Sequence, residues 1–224
     1  MRLAQDLDKG PRIKMSIVTN VAVLFSGAGS NLQALISAFQ SNKFEDAELR
    51  LVLTNRKQAG GIDVAKRAGV DLVILDDEGK KGKDWNYDQL LLQSLEAHGL
   101  SPSNGLILLA GFMRLLSDEF VRLFRWKILN IHPSLLPAFR GSNAIASALD
   151  TGVKITGCTV HFVDEGIDEG PVLMQAAVPV DENDTPSSLL LKIHKKEHEI
   201  YVESLGLLLQ GRVKIDGRKV KILK

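Results

Sequence analysis

Five consecutive apolar residues, Val21-Ala22-Val23-Leu24-Phe25, run almost directly into the turn Gly27-Ala28-Gly29-Ser30-Asn31. A strand with one wet face alternates polar and apolar residues, so an unbroken apolar run predicts a strand buried on both faces. Leu32, Leu35, Ile36 and Phe39 then recur at helical spacing. Strand, glycine turn and helix in that order open an α/β fold with a parallel sheet. The rhythm continues with strands over 49–53, 71–75, 106–110 and 128–131, and with helices over 62–68 and 85–98.

After the fifth strand the pattern changes. Apolar segments at 154–163 and 171–178 are joined only by the short acidic stretch 164–170. That is too short for a parallel crossover, so this pair is expected to be antiparallel. Thr185-Pro186 is a cap residue followed by proline at the first helical position, and it starts a helix expected to reach Leu209. Alternation around Asp216-Gly217 predicts a terminal hairpin. The sum is a single-domain, three-layer α/β fold. Its sheet is mixed and mainly parallel, with helices on both faces, over residues 20–224. Residues 1–19 mix charges without an apolar segment and read as a flexible leader rather than a signal peptide.

Bulk composition excludes several classes. Net charge is +1, which leaves no broad electrostatic footprint for nucleic acid or a membrane surface. No apolar run approaches the roughly 18 residues a membrane helix needs. The one cysteine, Cys158, permits neither an internal disulfide nor a multi-cysteine metal site, and makes a reducing, cytoplasmic setting the expectation. Cys158 alternates with Val160 and Phe162 and reads as core. His161 points the other way and reads as structural, with support of the site as the alternative. His98, His194 and His198 read as helix or surface residues.

Four local features carry chemistry. The turn Gly27–Asn31 presents backbone N–H groups at a helix start, as a phosphate site would. A dinucleotide turn is the rival, although Leu32 stands at its third glycine and no acid ends the second strand, where Arg56 could suit an extra phosphate. Asn130 and His132 sit two apart at the carboxyl end of the fifth strand and share one face. There an amide can stabilise an oxyanion and an imidazole can move a proton, or both can be structural. The acidic stretch 164–170 is either a solvated turn or the source of a carboxylate that folds back on His132 and favours its charged form. Glu197 falls on the inward stripe of the last helix. A buried carboxylate needs a partner, either an internal cation or a cation on a substrate.

Taken together, SGAGSNLQALI (26–36), LAGFMRLLS (109–117), LNIHPSLLP (129–137), GCTVHFVDEGIDEGPVLMQAAVPV (157–180) and EHEIY (197–201) resemble the folate-dependent phosphoribosylglycinamide formyltransferases of purine synthesis. The likeness runs from Val21 to Leu209. It implies a Rossmann-like formyltransferase domain with a phosphate-binding N-terminal half and a folate-binding C-terminal half. It implies catalysis by Asn130, His132 and Asp168, and contact with the glycinamide ribonucleotide through Gly29, Ser30, Asn31 and Glu197. The folate would lie against Met113, Arg114, Leu115, Leu116, Asn130, Val163, Asp164 and Gly166. The co-substrate implied is 10-formyltetrahydrofolate, with no metal, acting in a monomer or homodimer. Related deformylases use the same triad with water as acceptor, and a non-catalytic folate or nucleotide binder could keep the fold. The chain departs from the family at Asp84, where an arginine is common and Lys81 or Lys83 could substitute. It departs again at Gly141-Ser142-Asn143, where a histidine is common, and at Ala138-Phe139-Arg140.

Overall fold

The computed structural model describes residues 18–80 and 82–224, so most of the expected leader and Lys81 lie outside the described residues. β1 (Thr19–Phe25) already begins at the last leader position. It is followed by α1 (Ser30–Gln40), β2 (Ala47–Thr54), α2 (Gly61–Ala68), β3 (Leu72–Ile74), α3 (Trp85–Ala97), β4 (Gly105–Leu109), α4 (Asp118–Leu123) and β5 (Ile128–His132). Then come α5 (Ala144–Thr151), β6 (Ile155–Phe162), β7 (Val172–Pro179), α6 (Pro186–Leu209), β8 (Val213–Asp216) and β9 (Lys219–Ile222). One seven-stranded sheet has the order β3-β2-β1-β4-β5-β6-β7, and β8-β9 form a separate hairpin. The first five strands in that order are parallel, while β6 and β7 run antiparallel to their neighbours.

The unbroken apolar strands feed two cores at once. Val21, Val23 and Phe25 pack with α1, α2 and α6, while Ala22 and Leu24 pack with α3 and α4. β4 divides the same way, with Leu106 and Leu108 on one side and Ile107 and Leu109 on the other. On β5, Leu129 and Ile131 enter the α6 core. The opposite face starts with Ile128 in the α3–α4 core and then turns polar with Asn130 and His132. Period-two alternation on a sheet therefore puts both polar residues on one face.

The last helix is set by its start. Thr185 accepts from the Ser188 N–H, the Ser188 hydroxyl accepts from the Thr185 N–H, and Pro186 follows the cap. Further along, the fully buried Tyr201 hydroxyl reaches the carbonyls of Leu109 and Leu129 at 3.0 and 3.1 Å. One phenol proton shared between the ends of β4 and β5 pins α6 across them and brings Glu197, one turn earlier, to the sheet's carboxyl edge. Among the described residues, no helix is long and apolar enough to cross a membrane.

Candidate active site

Strand order reverses between β1 and β4, and the crevice beyond the carboxyl ends at such a point is where open α/β sheets bind ligands. Here a cavity of about 370 Å3 opens, lined among others by Asn31, Glu197, Met113, Asn130, His132 and Asp168. A narrower cleft of about 100 Å3 continues from Asn130 between Leu115, Leu116 and the loop Val163–Asp168.

The antiparallel pairing of β5 and β6 builds the centre. Asn130 lies opposite His161, and His132 opposite Thr159. The Asn130 Nδ2 and His161 Nε2 are 3.1 Å apart, and His161 Nδ1 is 3.0 Å from the Phe162 carbonyl. A carbonyl only accepts, so His161 carries its proton on Nδ1 and accepts the Asn130 amide on Nε2. Burial pushes the His161 pKa down, which fits this neutral form. His161 thus orients Asn130 and leaves the second amide hydrogen free for a ligand. The sequence reading favoured a structural histidine and kept support of the site as the alternative, which is what the contact with Asn130 provides. Its strand face was legible, but the β5–β6 register that brings it opposite Asn130 was not.

His132 is 5% exposed. Its Nε2 donates to the Phe139 carbonyl at 2.8 Å, and its Nδ1 lies 3.4 Å from Asp168 Oδ2. The carboxylate does fold back from the acidic stretch. Asp168 also accepts from the Gly141 N–H at 2.9 Å, and its other oxygen is 3.7 Å from His161 Nε2. The loop that carries it is pinched shut: Phe162 donates its N–H to the Pro171 carbonyl at 2.9 Å, and Gly170 packs where any Cβ would overlap the Phe162 carbonyl. Asp168 itself has φ 51°, in the left-handed region that non-glycine residues seldom occupy.

In the same cavity, Glu197 is 3% exposed, and its Oε2 accepts from Asn31 Nδ2 at 2.8 Å. Burial pushes its pKa up to about 7, with the Asn31 bond opposing the shift. Its nearest ion-pair partner is His194 at 3.9 Å, whose own pKa is lowered by burial and by His198. His194 lines the cavity, contrary to its reading as a plain helix residue, because the i and i+3 positions of α6 share a face. Asn31 Oδ1 is buried without a hydrogen-bond partner. Gly29 caps α1 at φ 86° with no side-chain cap, and a Cβ there would press on Gly61. Close approach of α1 and α2 explains that glycine, and the first-turn N–H groups of α1 keep no side-chain acceptor. Gly29 and Ser30 flank the cavity at this helix start, while Asn31 lines it.

Of the residues expected at the folate wall, Leu115, Leu116, Asn130, Val163, Asp164 and Gly166 line the cleft, and Met113 lines the wider cavity. Arg114 touches both, but its guanidinium is buried elsewhere. It donates to the Lys80 carbonyl at 2.8 Å, lies 3.5 Å from both Asp77 and Asp84, and covers the Tyr87 ring at 4.0 Å. Asp84 also caps α3 by accepting from the Asn86 N–H. The acid at this departure position therefore has two partners of its own. Lys83 reaches Asp118 and the Glu165 carbonyl.

An open α/β sheet with a carboxamide, an imidazole and a carboxylate converging on a cavity at a strand end defines an enzyme scaffold for acyl transfer. The chain belongs to the formyl transferase family, which it matches over residues 19–205. It is 43% identical over 202 residues to the trifunctional purine biosynthetic protein adenosine-3 of Homo sapiens, covering 90% of this chain and 19% of that protein, so it spans about a fifth of the length of such relatives. The phosphoribosylglycinamide formyltransferase of Bacillus subtilis is 38% identical over 84% of this chain and 93% of its own. The glycinamide ribonucleotide transformylase 1 structure from Symbiobacterium toebii is 41% identical, covers 96% of this chain and 100% of its own, and superposes with a TM-score of 0.86.

Proposed function

We propose that this chain transfers the formyl group of 10-formyltetrahydrofolate to the amine of phosphoribosylglycinamide, giving the formylated amide and tetrahydrofolate. The observation that carries the reading is that Asn130 and the paired His132 and Asp168 line the same cavity as the bonded pair Asn31 and Glu197. The family membership and the named relatives support the same reaction.

In this reading the substrate phosphate and ribose lie at the start of α1, with Gly29, Ser30, Asn31 and Glu197 as contacts. The folate ring enters the cleft lined by Leu115, Leu116, Asn130, Val163, Asp164 and Gly166, beside Met113 and Arg114. The amine nitrogen attacks the formyl carbon, whose carbonyl oxygen takes up the electron pair. Asn130 offers that oxygen the amide hydrogen not given to His161. His132 offers it the Nε2 proton now held by the Phe139 carbonyl, and Asp168 supports the positive charge on the ring. Collapse of the tetrahedral carbon breaks its bond to the folate nitrogen, which takes up the proton shed by the amine. No covalent bond to the protein forms. The acceptors are small molecules. The reading involves no nucleic acid, membrane or metal, and it places a monomer or homodimer in the cytoplasm.

The test is release of tetrahydrofolate from 10-formyltetrahydrofolate with and without phosphoribosylglycinamide. Amine-dependent release is expected; equal release without amine makes the protein a deformylase, and no release leaves a binding protein. His132→Ala and Asp168→Ala should each lower kcat at least about 100-fold with an unchanged circular dichroism spectrum. Near-full activity in Asp168→Asn would remove the His132–Asp168 pair from the mechanism.

A further inference from the structure

Two arginines from distant parts of the chain meet on Glu169, the residue after Asp168. Arg140 Nη1 donates to Glu169 Oε1 at 2.6 Å, and Arg218 Nη2 donates to the Glu169 carbonyl oxygen. Arg140 comes from the loop after His132. Arg218 comes from the turn between β8 and β9, beyond residue 205, where the family match ends. Two adjacent residues of one loop grip two adjacent residues of the other, because the Gly141 N–H holds the Asp168 carboxylate while the Arg140 side chain holds that of Glu169.

We propose that Arg140 and Arg218 are positioning residues for formyl transfer, clamping Glu169 so that Asp168 stays against His132. The proposal rests on the function assigned above. Asp168 holds a positive φ of 51°, a conformation that persists only where the surroundings over-determine it. Its 3.4 Å approach to His132 has to be supported from outside the ion pair. The loop base is closed at Phe162 and Pro171, Glu165 is held by Lys83, Arg122 and Arg125, and the Glu169 side of the loop is held by these two arginines. The Arg140 and Glu169 side chains are 39% and 46% exposed, so salt screens the pair and its contribution is to orientation more than to stability. Orientation is enough, since a misplacement of about 1 Å can cost up to about 100-fold in rate. Arg218 holds the main chain of Glu169, not its carboxylate, so the two arginines act on different atoms and removal of one leaves the other in place.

The experiment has two readouts. The first is formyl-transfer kinetics of Arg140→Ala, Arg218→Ala, Glu169→Gln and Arg140→Lys, each also made in an Asp168→Asn background. Each of the first three should lower kcat about three- to tenfold while KM for the amine moves less than about twofold, and Arg140→Lys should recover most of the loss. In the Asp168→Asn background the same changes should have no further effect on the residual rate, because the clamp acts through that carboxylate. The second readout is backbone amide exchange over residues 164–170, which should quicken in Arg140→Ala and Arg218→Ala while melting temperature stays within a few degrees. Unchanged exchange, a rise in KM alone, or an equal fractional loss of kcat with and without Asp168 would overturn the proposal. Should the wild-type protein transfer no formyl group, the functional reading fails, and amide exchange still decides the clamp. If an alanine variant does not fold, Arg140→Lys and Glu169→Gln carry both measurements.

Discussion

The residue that behaves least like its type is Glu197. Its carboxyl is nearly fully enclosed, bonded to one amide, and pushed up to about 7. The folded pKa lies above the ordinary carboxyl value, so this group favours the folded state fully below about pH 4.5. It loses that contribution as pH rises through about 7, a swing of roughly 3 kcal/mol at most. Glu197→Gln keeps an oxygen for Asn31 and removes the titration. Urea unfolding should therefore show the variant equal to wild type at pH 4 and clearly more stable at pH 8, and equal midpoints at pH 8 would refute this account. Position four after Ile193 and four before Tyr201 was enough to place Glu197 on the buried face. Its partner was not legible, because Asn31 is 166 residues away in sequence. The same limit applies to His161. Strand alternation told which way it points, but only the β5–β6 register told what it meets.

Among the elements, legibility followed the strength of the local signal more than length. Pro186–Leu209, with its threonine cap and proline start, and the hairpin around Asp216-Gly217 fall where local signals put them. α4 and α5 were not anticipated. They have six and eight residues, too short to repeat a helical stripe more than about twice, although Ser117 caps α4 by accepting from the Phe120 N–H. The loop from Val163 to Gly170 was visible only as an acidic stretch with glycines. The structure shows why one of them is needed, since a Cβ on Gly170 would sit 1.7 Å from the Phe162 carbonyl oxygen. Backbone cannot yield as a side-chain tip does, so Gly170→Ala should open the loop base. The expected outcome is a destabilisation of a few kcal/mol and loss of transfer activity, read by thermal unfolding and by the formyl-transfer assay. The stacking of constraints on this one loop also explains why composition suggested a solvated turn. Its charges are spent on partners in other segments, with Glu165 near Arg122 and Arg125 and Glu169 near Arg140.

At the scale of the molecule, the alternation of strands and helices was sufficient for the layer architecture and for the antiparallel ending, because each depends on burial pattern and connection length alone. The carboxyl edge was legible from Asn130 and His132 at the end of the fifth strand, while the position of the crevice between β1 and β4 came from strand order. One feature of those layers has a thermodynamic consequence. On the α3–α4 side the apolar packing ends at Ile128, and the next residue on that face of β5, Asn130, lines a cleft whose other walls include Leu109, Phe112, Leu116 and Val121 from the edge of that same core. A flat aromatic ring seated there would be the missing slab of a sandwich, covering apolar wall on one side and satisfying Asn130 on the other. Ligand occupancy then becomes part of the stability of the fold. A folate analogue at 100 times its Kd should add about 2.7 kcal/mol, which for a domain of this size raises Tm by roughly 5–10 °C. The binding heat capacity should be negative, as for burial of apolar surface. Under the proposed function, substrate binding and the packing of the α3–α4 layer are then linked through the same apolar side chains.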